Sequence, residues 1–128
     1  MDLKTLCKKQ KLIATDAFWN TPENVLRTIY NGAGSDTMPA WSRALLTEFI
    51  SIFKGSVVIH DFDYHHSDKT EEKFHEANKR MYDNMKIILD TTYPLYSILE
   101  WGERAKWWFK MKAVYETIEL CGLSAWKD

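Results

Sequence analysis

Net charge, cysteine and long apolar runs are all scarce in this 128-residue chain, and each scarcity narrows what it can do. The formal net charge is −1, so no global field draws the protein to nucleic acid or to an acidic membrane, and a nucleic-acid partner is not expected. The two cysteines, Cys7 and Cys121, stand near opposite ends and form no CxxC pair. Free thiols in a reducing compartment are expected, with one long-range disulfide as the alternative. No stretch approaches the roughly 18–20 apolar residues of a membrane span. The opening MDLKTLCKKQKLIATDAFW has no apolar run of signal-peptide length, so a cytoplasmic location is the expectation. There is no P-loop, no dinucleotide fingerprint and no basic, aromatic-interleaved stretch of the nucleic-acid-binding kind. Internal repeats, low-complexity tracts and linkers are absent too, which predicts a single domain over residues 1–128.

What is present is apolar and aromatic. Hydrophobic residues make up 45% and charged residues 27%, an ordinary globular balance, but six Trp, six Tyr and six Phe are many for this length. These rings either fill a small core densely or serve a partner surface. The periodicity is helical throughout. A short amphipathic helix is expected over about Leu3–Ile13. Thr21-Pro22-Glu23 reads as a helix start, with a capping hydroxyl, proline at the first position and an early acid, followed by a stripe of Val25, Leu26 and Ile29. Asn31-Gly32-Ala33-Gly34-Ser35-Asp36 must be a loop. Ser42 is the expected cap of a helix with Leu45, Leu46, Phe49, Ile50 and Phe53 on one face, broken or kinked at Lys54-Gly55-Ser56. That helix continues through His60, Asp61 and Tyr64, and the next runs from Thr70 to about Leu89. After Tyr93-Pro94, a last helix spans about Glu103 to Leu120, with Gly122 at its C-cap. Ser56–Ile59 is the best strand candidate and a weak one, so the class is all-α.

The densest chemistry lies in His60-Asp61-Phe62-Asp63-Tyr64. Positions 57, 60, 61 and 64 share one helical face, and Val57 marks it as inward. A carboxylate and an imidazole drawn into such a place need a metal or hydrogen-bond partners. The following helix carries Asn78 among Phe74, Met81 and Met85, a polar residue in a core position. If the two helices pack antiparallel, as the short turn between them suggests, Asn78 approaches His60. The structural alternative is that the His-Asp pair is a satisfied core feature. Upstream, Asn31-Gly32-Ala33-Gly34 can turn several backbone carbonyls toward one point, as calcium requires, and Asp61 could complete that oxygen shell. The alternative use of these glycines is to end a helix.

Taken together, Tyr30-Asn31-Gly32-Ala33-Gly34, then Val58-Ile59-His60-Asp61-Phe62-Asp63-Tyr64, then Glu76-Ala77-Asn78-Lys79-Arg80-Met81 and Asn84-Met85 resemble the phospholipase A₂-like proteins of phages and prophages. The ending, Ala113-Val114-Tyr115-Glu116-Thr117 and Gly122-Leu123-Ser124-Ala125-Trp126, is similar to the same group, so the resemblance spans roughly residues 28–127. It implies an antiparallel two-helix core and a calcium-dependent ester hydrolase. His60 would be the general base that deprotonates water. Calcium on Asp61 and on carbonyls around Gly32 and Gly34 would stabilise the oxyanion, and Tyr64 would hydrogen-bond the residue orienting His60. The chain departs from the pattern at Asn78, where these phospholipases place a carboxylate that holds the histidine. Ala33 and Val58 stand where secreted relatives carry cysteines.

Two other constellations stand in the sequence. His60, Asp61, His65, His66 and Asp68 invite a metal-phosphohydrolase reading, but that chemistry needs an upstream histidine and residues 1–59 contain none. His65 and His66 read as a solvated helix end, and His75, in a charged run, as exposed. The segment Trp101–Lys110 is either a lipid-interface anchor or, at helical spacing, core filling. Two functions follow. Asn78 and the missing cysteines favour a phage-encoded interaction protein, inactive or weakly active, that binds a host or virion protein. His60, Asp61, Tyr64 and the glycine loop together favour the calcium-dependent hydrolase, with lipid or a membrane surface as partner.

Overall fold

A computed structural model gives the fold and describes residues 2–30, 40–123 and 126. The described residues form α-helices and one 3-10 turn, with no strand among them, so the chain is all-α. Three short helices come first, α1 (Leu3–Lys9), α2 (Asp16–Trp19) and α3 (Glu23–Ile29); three long ones follow, α4 (Ala40–His66), α5 (Glu71–Thr92) and α6 (Trp101–Cys121), with the 3-10 turn (Ile98–Glu100) just before α6. None is long and apolar enough to cross a membrane.

The long helices form the body. The turn between His66 and Glu71 folds α5 back antiparallel on α4. The pairs His75–Glu119 and Asp90–Arg104 tie opposite ends of α5 to α6 and fix a second antiparallel packing. Between the helices lie Phe53, Ile59, Phe62, Met85, Ile88, Leu89, Trp107 and Met111, all buried. Side-chain caps explain several helix starts: Asp2 accepts from the Thr5 N–H, Thr15 from Phe18 and Thr70 from Lys73. The α1 start has a second acceptor, because the Glu23 carboxylate of α3 takes the N–H groups of Leu3 and Lys4 at 3.0–3.2 Å.

Several expectations shift. Ser56–Ile59 is helical, because the apolar positions there continue the α4 face. The α3 cap is Pro22 and not Thr21, whose hydroxyl instead donates to the Ala17 carbonyl at 2.6 Å. Val25 is exposed, leaving Leu26 as the buried residue of that two-turn helix. The α4 helix begins upstream of Ser42, and α6 begins two residues before Glu103. Lys54-Gly55-Ser56 kinks α4 without ending it. Phe53 has φ −102° and ψ 22°, and the buried Ser56 hydroxyl takes its carbonyl at 2.7 Å, the local competition that bends helices. Gly55 lets the N-terminal arm approach: a Cβ there would lie 2.6 Å from Leu12 Cδ1.

The arm is anchored at one further point. Asn84, fully buried on α5, accepts from the Ile13 N–H at 2.7 Å and donates to the Ile13 carbonyl at 2.8 Å, imitating a strand partner. Asn84→Ala removes both bonds and leaves two backbone groups unpaired. It is expected to lower unfolding stability by about 2–4 kcal/mol in urea titration. A loss below about 1 kcal/mol would mean that the arm is held elsewhere.

Candidate functional site

The site is built on the C-terminal half of α4. His60, Asp61, Tyr64 and His65 line a cleft of about 240 Å³ together with Ile29, the last residue of α3. Their shared wall follows from helical spacing. The cleft's depth follows from the core-facing neighbours Val58, Ile59 and Phe62, which pin α4 against α5.

His60 meets Asn78 as the antiparallel packing requires. Its Nε2 lies 2.8 Å from Asn78 Oδ1, so the ring carries its proton on Nε2 and donates to the amide oxygen. The unprotonated nitrogen is then Nδ1, which has no hydrogen-bond partner among the described residues. Burial is the main influence on the ring and lowers its pKa; the Asn78 bond and the Asp63 charge work in the opposite direction. His60 is therefore neutral at neutral pH, the form a general base needs. Asn78 is wholly buried, and its Nδ2 has no partner. The Tyr64 hydroxyl thus does not take up this N–H. The Tyr64 ring instead packs edge-on against Trp126 at 5.7 Å, with the Lys69 ammonium 3.6 Å from the ring centre.

Asp61 is the second unusual group. It has neither a hydrogen-bond donor nor a cation partner among the described residues, and burial raises its pKa to about 6. Burial, followed by the Asp61 charge, raises the pKa of Tyr30, which stays a phenol beside that carboxylate. Asp63, two residues on, is the contrast. It is bound to Arg80 at 2.7 Å across the helix pair, although burial still raises its pKa.

A divalent cation would find one oxygen ligand ready, the unpartnered Asp61 carboxylate, and hard oxygen donors suit calcium. Gly32 and Gly34, expected to supply carbonyls, lie outside the described residues. Among the described residues, no three His, Cys, Asp or Glu side chains converge to hold a metal ion. His65 and His66 are exposed, His66 stacking on Phe62 at 4.2 Å. His75 is half exposed yet structural, donating from Nδ1 to the Glu119 carboxylate of α6 at 2.6 Å. Both thiols are free; burial pushes Cys7 up to about 12, which makes it a poor nucleophile.

Two features of this region escape the sequence. Asp63 and Arg80 line a larger cleft, about 390 Å³, on the other side of α4, with Phe62, Lys73, Glu76 and Trp126. The only sequence clue was the pairing of opposite charges on facing helices. Trp126, buried and donating from Nε1 to the Thr70 carbonyl at 3.0 Å, closes over Phe74 and supports Tyr64. Its distance in sequence from the His-Asp helix hid that role. Compared with protein-family models, curated proteins and solved structures, the chain matches none.

The Asp61 environment has a pH signature. Its folded pKa, about 6, exceeds the ordinary carboxylate value of 3.8, so the folded state binds the extra proton between those limits. Ionised Asp61 therefore destabilises the protein above pH 6, and the penalty fades as pH falls toward 4. Asp61→Asn is expected to raise unfolding stability at pH 8 by on the order of 1–3 kcal/mol, with no gain at pH 4. An equal gain at both pH values would show that the carboxylate is not held in a desolvated place.

Proposed function

We propose that the protein is a weakly active, calcium-assisted ester hydrolase of the phospholipase A₂ type. The observation that carries this reading is the 2.8 Å contact between His60 Nε2 and Asn78 Oδ1, beside a half-buried carboxylate that has no donor or cation partner among the described residues. Asn78 fixes the ring so that Nδ1 is the basic nitrogen, and burial keeps the ring neutral. His60 then takes a proton from the water that attacks the ester carbonyl. Asp61 would hold the cation, and calcium bound there would supply Lewis-acid polarisation of the ester carbonyl. Tyr64 and Trp126 keep the α4 wall in place.

The same contact explains why the activity is weak. An amide orients the imidazole but cannot offset the positive charge the ring gains in the transition state. Losing that charge from a His-Asp pair can cost about four orders of magnitude in rate. Asn78→Asp is therefore expected to raise ester hydrolysis by at least about tenfold, and His60→Ala to abolish it. Calcium titration by calorimetry is the first measurement. Binding should be lost in Asp61→Ala and should weaken as pH falls through about 6, where the Asp61 carboxylate takes up a proton. No binding at millimolar calcium, or hydrolysis unchanged in His60→Ala, would sink the mechanism.

A second reading, an inactive phage-type protein that binds a host or virion partner, is favoured by a separate observation. The end of the bundle away from the cleft exposes Tyr96, Leu99 and Trp101. In that reading Asn78 marks a discarded reaction, and Asn78→Asp produces no hydrolase.

A further inference from the structure

The α5–α6 connection and the first half of α6 form a continuous apolar surface. Leu95, Tyr96, Ile98, Leu99, Trp101 and Phe109 are all exposed, Leu99 completely and Tyr96 to 87%. Other exposed apolar residues, such as Ile13 and Leu120, are scattered singly, which is ordinary. Taking typical areas for large side chains, these six present about 800 Å². That exceeds the roughly 300–600 Å² of the largest patch on a typical monomer.

The surface is held rigid. Trp101 Nε1 donates to the Leu95 carbonyl at 2.8 Å, and Arg104 clasps the Tyr93 carbonyl at 2.8 Å and Asp90 at 2.6 Å. Ser97 donates to Glu100 at 2.9 Å. Internal hydrogen bonds thus fix a connection that would otherwise collapse to hide its apolar side chains. Beside the projecting residues lies an apolar hollow of about 370 Å³, walled by Trp101, Ala105, Trp108 and Phe109. The one charge in its wall, Arg104, is already paired with Asp90.

We infer that this surface is a two-fold interface with a second copy of the chain. A symmetric dimer needs one patch that carries both projection and receptor, and here Leu99 and Phe109 project beside the hollow that would receive them. It needs about 800 Å² from each subunit, the area displayed. It also needs no large like-signed charge to be buried against itself, and the charge within the hollow is neutralised. A lipid surface fits less well. The patch lies at the Thr92 end of α5, about 20 Å along the helix from Asn78, so a membrane docked there would not reach the His60 cleft. The arguments from area and shape are independent of the hydrolase reading; the preference over a lipid surface rests on it.

Sedimentation velocity of the full chain across a concentration series tests it. The expected result is a monomer–dimer equilibrium with a micromolar dissociation constant. Leu99→Glu and Phe109→Glu, each at an exposed position, should weaken it at least tenfold while leaving the helical circular dichroism spectrum unchanged. A monomer at every concentration would overturn the inference, as would a dimer that survives both substitutions. A monomer that instead binds phosphatidylcholine vesicles through Leu99 would assign the surface to lipid and overturn it as well.

Discussion

The structure turns on how α4 and α5 bury polar side chains against each other. Two long helices could pack with an entirely apolar seam, and most of this one is apolar, through Phe53, Ile59, Met81, Met85 and Ile88. Polar groups are admitted at the His60–Asn78 bond and the Asp63–Arg80 ion pair, with Asn84 gripping the N-terminal arm further along α5. Each such group is costly if the helices slide, because a slipped register leaves a buried donor or acceptor unmatched. The apolar residues supply most of the driving force, and the polar pairs restrict which alignment it can stabilise. The site's geometry is a consequence of that alignment.

Within this seam, two carboxylates on one helix receive opposite treatment. Asp63 is matched by Arg80, and removing either partner would strand the other in a low-dielectric place. Asp61 lines the cleft with no donor among the described residues, and its partial burial raises its pKa. Asn78 shows a similar incompleteness, since its Nδ2 is buried without a partner. Unsatisfied groups are rare in folded proteins and concentrate where something else is to be bound. One such group, Asn78 Nδ2, lies beside His60 and next to a half-buried carboxylate, which is the physical reason for placing function here; the other among the described residues, Gln10 Oε1, lies on the N-terminal arm.

Much of this was legible in the sequence, for reasons that differ by element. The α5 helix announces itself through Phe74, Ala77, Asn78, Met81 and Met85 at helical spacing, and its buried face agrees. The approach of Asn78 to His60 could be anticipated because a four-residue turn leaves little choice of packing direction. Val25 and Thr21 were misjudged because local propensity gives no information about which neighbours are present: Thr21 found a carbonyl behind it before it could cap the helix ahead. The α6 helix was hardest to read. Apolar and charged residues run all round it, so periodicity could not separate the buried Trp107 from the exposed Trp101 and Phe109. Only its packing against α5 decides which rings are covered.

The two ends of the bundle therefore pose different physical problems. At the α4–α5 turn the chain holds polar groups in partly dry surroundings, which costs stability and offers chemistry. At the α5–α6 connection it holds large apolar groups in water and stiffens the backbone so that they cannot turn inward. Neither arrangement helps an isolated monomer fold, and ordinary sequence drift toward stability would remove both. On the proposals made above, a ligand at Asp61 would complete the first and burial of Leu99 and Phe109 the second. The two ends lie about 20 Å apart along α5, so each is completed, or left incomplete, by its own local contacts.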